Sequence, residues 1–290
     1  MVYLICIFLN GEIMSILFEN VTDLDLHETL LCGQCFRWKE RPDGSFGGVV
    51  RGKAAVARME GDCLILDGAE GSDRGMWHDY FDLGLDYGEV KRQLSAIHPI
   101  LAEAARFAPG IRILRQEPFE ALITFIISQN NNIKRIEGIV DRLCENFGAP
   151  IFEGGAGSSG GRFAFPTAER LAALSPDDLM PIRAGFRHRY IIDAAQKVAD
   201  GTVDLESLRT LPYDEARAEL MKITGVGVKV ADCVLLYGLH RLDGFPLDVW
   251  MKRAMAVLFD GIEPSAFGQY AGIAQQYIFH YSRMHPELFG

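Results

Sequence analysis

Lys229 is the side chain in this sequence best placed to act as a nucleophile. It follows a glycine-hinged turn, Thr224-Gly225-Val226-Gly227-Val228, set between two helical patterns, and Asp248 comes after a Phe245-Pro246-Leu247 run further on. An amine attacks electrophilic carbon and forms Schiff bases, and a nearby carboxylate steadies the positive charge that develops. A turn opening a helix also presents backbone N–H groups to phosphate. Together these residues suggest covalent chemistry on DNA.

Each of them also has a plainer role. Lys229 lies in the first turn of its helix, where a cation opposes the helix dipole. That placement favours the neutral amine, and partial burial acts in the same direction, down from about 10.4. A solvated lysine that only contacts phosphate fits the position equally well. Asp248 precedes a helical pattern at 249–258, so it can serve as an N-cap, worth about 1 kcal/mol. The same geometry would hold its carboxylate ionised for charge stabilisation, so the two roles are compatible. Gly225 and Gly227 permit positive φ and close approach to a ligand. A helix–Gly-x-Gly–helix unit alone also describes a tight turn between packed helices.

The elements that must position these groups fall into two kinds. From 36 to 67, short β-prone runs (36–39, 49–51, 54–59 and 63–66) alternate with turn signals such as Pro42-Asp43-Gly44 and Glu60-Gly61. This predicts an antiparallel meander. From 89 to 107 the spacing turns helical, with Val90, Leu94, Ile97 and Leu101 on one face. Further helices are expected at 119–127 (with Pro118 in the first turn), 133–147 ending at Gly148, 167–174, 176–183, 190–198, 213–222, 229–239, 249–258 and 268–280. Residues 153–162, EGGAGSSGGR, resemble a flexible insertion without phosphate-loop spacing. The fold class is therefore α+β. An antiparallel-sheet domain at 14–112 precedes a helical domain at 113–290, with the helical hairpin at about 213–239.

Composition sets bounds on function. With 49% hydrophobic and 23% charged residues, the chain is an ordinary globular protein long enough for two cores. Its net charge of −10 argues mildly against nucleic acid, yet basic residues cluster at Lys134-Arg135, Arg183–Arg189 and Lys222–Lys229. Phosphate affinity depends on such local patches. Six cysteines without a secretory signal point to reduced thiols, hence a protein of the cytoplasm or nucleus that is not secreted. Cys32-Gly33-Gln34-Cys35 has CxxC spacing, but no second pair completes a zinc site. The apolar start, MVYLICIFLN, is too short to span a bilayer and lacks a basic flank, so Met14 is an alternative start. No membrane association is expected.

The chain resembles the helix-hairpin-helix DNA glycosylases, and among them the 8-oxoguanine DNA glycosylase/AP lyase family. The likeness rests on Gly225-Val226-Gly227-Val228-Lys229-Val230-Ala231-Asp232-Cys233 with Pro246-Leu247-Asp248-Val249. It extends through Gly33–Trp38, Tyr80–Leu83, Ile113–Pro118, Ser128–Ile133 and Tyr270–Gln275, covering about Leu31 to Tyr281. The resemblance implies that the sheet domain is like one half of the TATA-binding-protein sheet. It also implies that Lys229 excises the base and cleaves the strand by β-elimination through a Schiff base, with Asp248 stabilising charge. Cys233 and Phe279 would sandwich the flipped purine, Gln275 would read its Watson–Crick edge, and Gly33 would accept from the N7–H that only the oxidised guanine carries. Asn130 would fill the gap left by the base, and Arg135 and Arg187 would bind the orphaned cytosine.

By the same resemblance, no organic cofactor or catalytic metal is expected, although a monovalent cation can sit on the hairpin carbonyls. The implied partner is duplex DNA containing oxidised guanine, bound by a monomer. Two positions depart from the family pattern. Trp250 stands where eukaryotic members carry a histidine near the DNA backbone, and Phe186 replaces a wedge tyrosine. A glycosylase of different base specificity, a non-catalytic hairpin protein, and a thiol or zinc protein built on Cys32 and Cys35 are the alternatives. The absence of any cysteine after Cys233 speaks against the iron–sulfur glycosylases.

Overall fold

The computed structural model describes residues 14–151 and 162–289; the apolar start and the glycine-rich segment at 153–161 lie outside them. Five strands form one antiparallel sheet: β1 (Ser15–Phe18), β2 (Lys39–Glu40), β3 (Phe46–Val50), β4 (Lys53–Glu60) and β5 (Cys63–Asp67), in the order β1-β5-β4-β3-β2. The meander expected from the turn signals is β2 to β5. β1, which has no alternating pattern long enough to announce it, joins the far edge with Ser15 opposite Asp67.

The strand expected at 36–39 is only Lys39–Glu40. Its aromatic residues have other destinations. Phe36 packs into the helical core, whereas Cys35 and Trp38 pack beneath the sheet. The segment crosses between two cores rather than alternating on one.

Among the described residues there are twelve α-helices, the first between β1 and β2 and the rest after the sheet: α1 (Leu26–Leu30), α2 (Arg74–Tyr80), α3 (Tyr87–Ile97), α4 (Pro99–Phe107), α5 (Pro118–Ser128), α6 (Ile133–Phe147), α7 (Ala168–Ala172), α8 (Arg187–Ala199), α9 (Tyr213–Leu220), α10 (Val228–Cys233), α11 (Val249–Leu258) and α12 (Ala271–Met284). The helical stretch at 89–107 is broken at His98 (φ −153°, ψ 140°), because Pro99 excludes the helical conformation from the residue before it. His98 Nδ1 then accepts from Ile100 N–H and caps α4. At 176–183 only the 3₁₀ turn Met180–Ile182 forms, ending at Arg183 with positive φ. The helix expected at 229–239 changes to a π turn, Val234–Gly238, after Cys233.

The larger apolar cluster surrounds α5, whose residues from Pro118 to Ile127 are buried apart from half-buried Glu120. This cluster also takes in Cys32, Phe36 and the inner faces of α3 and α4. The smaller one lies between the sheet and α2 and is built on Trp38, Trp77, Tyr80 and Phe81, with Leu114 joining it. Residues on both sides of the sheet–helix junction therefore serve both cores. Gln34 ties them together. Its Nε2 donates to Thr29 O and Arg112 O (2.8 and 2.7 Å), its Oε1 accepts from Leu114 N–H, and its carbonyl accepts from Gln116. With every polar group satisfied, a fully buried amide fixes the loop that carries Gly33.

Candidate active site

The hairpin between α9 and α10 depends on one glycine far more than on the other. Gly225 has φ +82°, and a Cβ there would lie 2.3 Å from Cδ2 of Tyr190. Gly227 has φ −96°, ψ −178°, a conformation any residue adopts, and nothing lies within 4 Å of its Cβ direction. The expectation that both glycines serve positive φ thus holds for Gly225 alone; Gly227 leaves open space. Thr224 N–H is already donated to Asp193 on α8 (2.7 Å), so the N–H groups left for phosphate are those opening α10.

Lys229 sits half-buried in the first turn of α10, its Nζ 5.5 Å from the centre of the Phe125 ring. An amine over an aromatic face is partly shielded from water while it keeps a route to a ligand. One turn on, Cys233 is buried, and burial pushes its thiol up to about 11 despite the opposing field of Lys229. At neutral pH it is an uncharged wall. Asp248 caps α11, accepting from Met251 N–H at 2.8 Å. Its negative charge is the smallest of the influences that raise the Cys233 thiol.

A second group adjoins the first. Phe125 stacks on Tyr237 (centroids 5.2 Å apart, 15° between planes). The Tyr237 hydroxyl reaches Gln275 Oε1 (3.2 Å) and Gln276 Oε1 (2.6 Å), and Gln276 Nε2 donates to Cys32 O. The next residue, Gly33 (φ +94°), faces Phe279 and Arg283, whose Cε1 and Nη1 lie 3.8 and 3.7 Å from its Cβ direction. The Arg283 guanidinium lies over the Phe279 ring, 5.4 Å from its centre. Contacts therefore connect Lys229 and Cys233 to Gln275, Gly33 and Phe279, although these residues come from distant parts of the chain.

A third group lies beside the hairpin. Asn130 is exposed with φ +51° in the turn from α5 to α6. Arg187 opens α8 and is buried, donating to Ala184 O and Gln129 O, while its Nε has no partner. Burial, reinforced by the like charge of exposed Arg135, lowers its pKa. The solvated alternative for Arg187 is thereby removed. The Arg187 guanidinium also stacks on Phe186, which is 58% exposed and meets Tyr190 edge-on. Tyr190 is the same ring that closes on Gly225. Trp250 is 42% exposed and leans on Phe289.

The sequence patterns assign no role to Phe125, Tyr237, Gln276, Gln34 or Arg283. The first four look like core residues, and only their partners reveal a connection to the site. Cys32 and Cys35 donate their thiols to the backbone carbonyls of Thr29 and Leu30, and burial raises both pKa values. Among the described residues no group of three His, Cys, Asp or Glu side chains is arranged to hold a metal.

Comparison with known proteins bears on the family and the fold. Residues 16–122 match the model of the 8-oxoguanine DNA glycosylase N-terminal domain, and residues 123–264 match that of the HhH-GPD superfamily of base excision DNA repair proteins. An N-glycosylase/DNA lyase of Saccharomyces cerevisiae is 43% identical over 81% of this chain and 68% of its own length. The N-glycosylase/DNA lyase OGG1 of Arabidopsis thaliana is 32% identical over 89% and 77%. Among solved structures, Clostridium acetobutylicum 8-oxoguanine glycosylase/lyase bound to duplex DNA with cytosine opposite 8-oxoguanine superposes with TM-score 0.86 at 34% identity, covering 94% of this chain and 96% of that one. MBOgg1 with a low-affinity DNA ligand gives TM-score 0.89 at 42% identity over 94% and 96%. With both halves of the fold matched in order, the chain belongs to the 8-oxoguanine DNA glycosylase family.

Proposed function

We propose that the protein is a bifunctional glycosylase that removes 8-oxoguanine opposite cytosine from duplex DNA and then cleaves the strand. The observation that carries this reading is the position of Lys229, half-buried over Phe125, with Cys233 beside it. Lys229 Nζ attacks C1′ of the flipped nucleotide, and the bond to N9 breaks, with the electron pair leaving on the base. Asp248, which caps α11, stabilises the cationic sugar. Loss of the amine proton and opening of the sugar ring give an iminium. Removal of a C2′ proton then expels the 3′ phosphate by β-elimination.

The remaining residues take roles suited to their surroundings. Cys233 and Phe279 sandwich the purine, Gln275 faces its Watson–Crick edge, and the Gly33 carbonyl accepts from N7–H. A flipped base costs a few kcal/mol of lost stacking and pairing, which a fitted pocket returns. Asn130 fills the vacated space, Phe186 wedges the duplex, and Arg135 with Arg187 binds the orphaned cytosine. Support for the last comes from Arg187, whose unpartnered buried Nε leaves a donor to be satisfied. The open side of Gly227 suits phosphate, a monovalent cation would bind hairpin carbonyls, and the protein acts as a monomer wherever the cell keeps its DNA.

Borohydride trapping on duplex containing 8-oxoguanine opposite cytosine tests the reading. The wild type is expected to form a covalent adduct, and Lys229→Gln none. A wild-type protein that binds this duplex yet never traps would leave only a non-catalytic hairpin protein.

A further inference from the structure

The buried hydroxyl of Tyr237 decides which end of the Gln275 amide a base can meet. A tyrosine hydroxyl has one proton to donate and lone pairs with which to accept. Two glutamine oxygens approach it, Gln276 Oε1 at 2.6 Å and Gln275 Oε1 at 3.2 Å. Gln276 is oriented independently, because its Nε2 donates to Cys32 O and leaves Oε1 as the acceptor. The shorter contact has the length of a well-formed O–H···O bond and takes the proton. Gln275 Oε1 then faces an oxygen with nothing to give it, in a site where an unmade hydrogen bond is costly.

The two ends of a carboxamide have the same shape. Turning the Gln275 amide over lets Nε2 donate to Tyr237 Oη and directs Oε1 away from it. The Tyr237 hydroxyl is the sole hydrogen-bond partner of the Gln275 side chain among the described residues. Nothing else there fixes its orientation.

We infer that Tyr237 is a positioning residue: by spending its proton on Gln276 it holds Gln275 with its carbonyl toward the base. That orientation favours a base with donors on its Watson–Crick edge. 8-Oxoguanine has them at N1–H and N2–H₂, whereas 8-oxoadenine presents an acceptor at N1. The inference rests on Gln275 facing the flipped base, and it names what makes that contact selective. Phe125 and Tyr237 are stacked, so the shelf beneath the Lys229 amine and the device that orients the reading amide are one packed unit.

The test is single-turnover excision from two duplexes, carrying 8-oxoguanine or 8-oxoadenine opposite cytosine, with the ratio of rates as the readout. Tyr237→Phe frees the amide, and the ratio is expected to fall roughly threefold to tenfold, the worth of one hydrogen bond. Gln276→Met removes the competing acceptor, so Tyr237 donates to Gln275 Oε1 and holds the wrong end outward. Its ratio should fall below that of Tyr237→Phe, and the double variant should return to the Tyr237→Phe value. A purely structural role would not produce that return. Trapping on abasic duplex, which presents no base, together with thermal melting, confirms that each variant is folded.

A folded Tyr237→Phe enzyme with the wild-type ratio overturns the inference, as does a Gln276→Met ratio no lower than that of Tyr237→Phe. If Gln276→Met does not fold, Tyr237→Phe decides alone. Gln275→Ala separates the two levels. An unchanged ratio there removes the base-facing role itself, while a collapsed ratio beside an unaffected Tyr237→Phe removes only the role of Tyr237.

Discussion

Replacing each hairpin glycine by alanine separates what holds the turn from what faces DNA. At Gly225 the methyl group is forced into φ +82°, which costs about 1–2 kcal/mol, and into the Tyr190 ring at 2.3–2.6 Å. Relieving such an overlap in a packed region costs about 1–3 kcal/mol more. The sum of about 2–5 kcal/mol corresponds to a melting temperature about 3–8 °C lower in a chain of this size. Tyr190 also meets Phe186, so its displacement disturbs the proposed wedge, and DNA affinity should fall with stability. At Gly227 the backbone is relaxed and the space is empty, so Gly227→Ala should lose only several tenths of a kcal/mol as a poorer cap. If phosphate approaches through that space, the added methyl should nevertheless weaken binding about tenfold, the scale of one charge-assisted hydrogen bond. Thermal melting and fluorescence anisotropy on a duplex with an uncleavable abasic analogue measure the two effects. A Gly225→Ala protein melting within 2 °C of wild type would refute the steric argument (2 °C being about 1.2 kcal/mol). A Gly227→Ala protein with wild-type affinity would refute the phosphate route.

Two further substitutions address charge. Asp248→Asn keeps a side-chain oxygen that caps helices as well as aspartate does, so stability should change by less than about 0.5 kcal/mol while excision drops by more than tenfold. Loss of both together in melting and single-turnover assays would mean that the carboxylate is structural only. Asp82 is almost fully buried, and although burial raises its pKa, His240 Nε2 at 3.3 Å and Arg115 outweigh this and hold it below 3.8. A depressed carboxyl stabilises the fold above its unfolded value, and that contribution disappears as pH falls through the folded one. Melting temperature should therefore drop on the acid side of about pH 3.8, and Asp82→Asn should flatten that limb while costing about 1–3 kcal/mol at pH 7, since the Arg115 partner is half-exposed. An acid limb of unchanged steepness in the variant would remove Asp82 from the account.

The features legible in the sequence are those with short-range causes. Helix α11 begins at Asp248 and α6 ends against Gly148 as expected, since caps act within one turn. The hairpin, Lys229 and the meander from β2 to β5 are likewise local patterns. The break at His98 was also local, but the apolar face continues through it and hides the effect of Pro99. The crossing of Phe36 and Trp38 into different cores was not legible, because it depends on which surfaces α2 and α5 present to that segment.

The sequence by itself determined the chemistry available here: an amine after a glycine-hinged turn, a capping carboxylate, and the family pattern around them. Only the tertiary structure decided that Gly225 is held by Tyr190 while Gly227 is free, that Arg187 is buried with a donor to spare, and that Gln34 fixes the Gly33 loop. It alone brought Tyr237 between Gln275 and Gln276. The physical reason is range. A cap or a turn is set by residues within four positions, whereas a buried hydroxyl can satisfy only the partners that the whole fold brings to it.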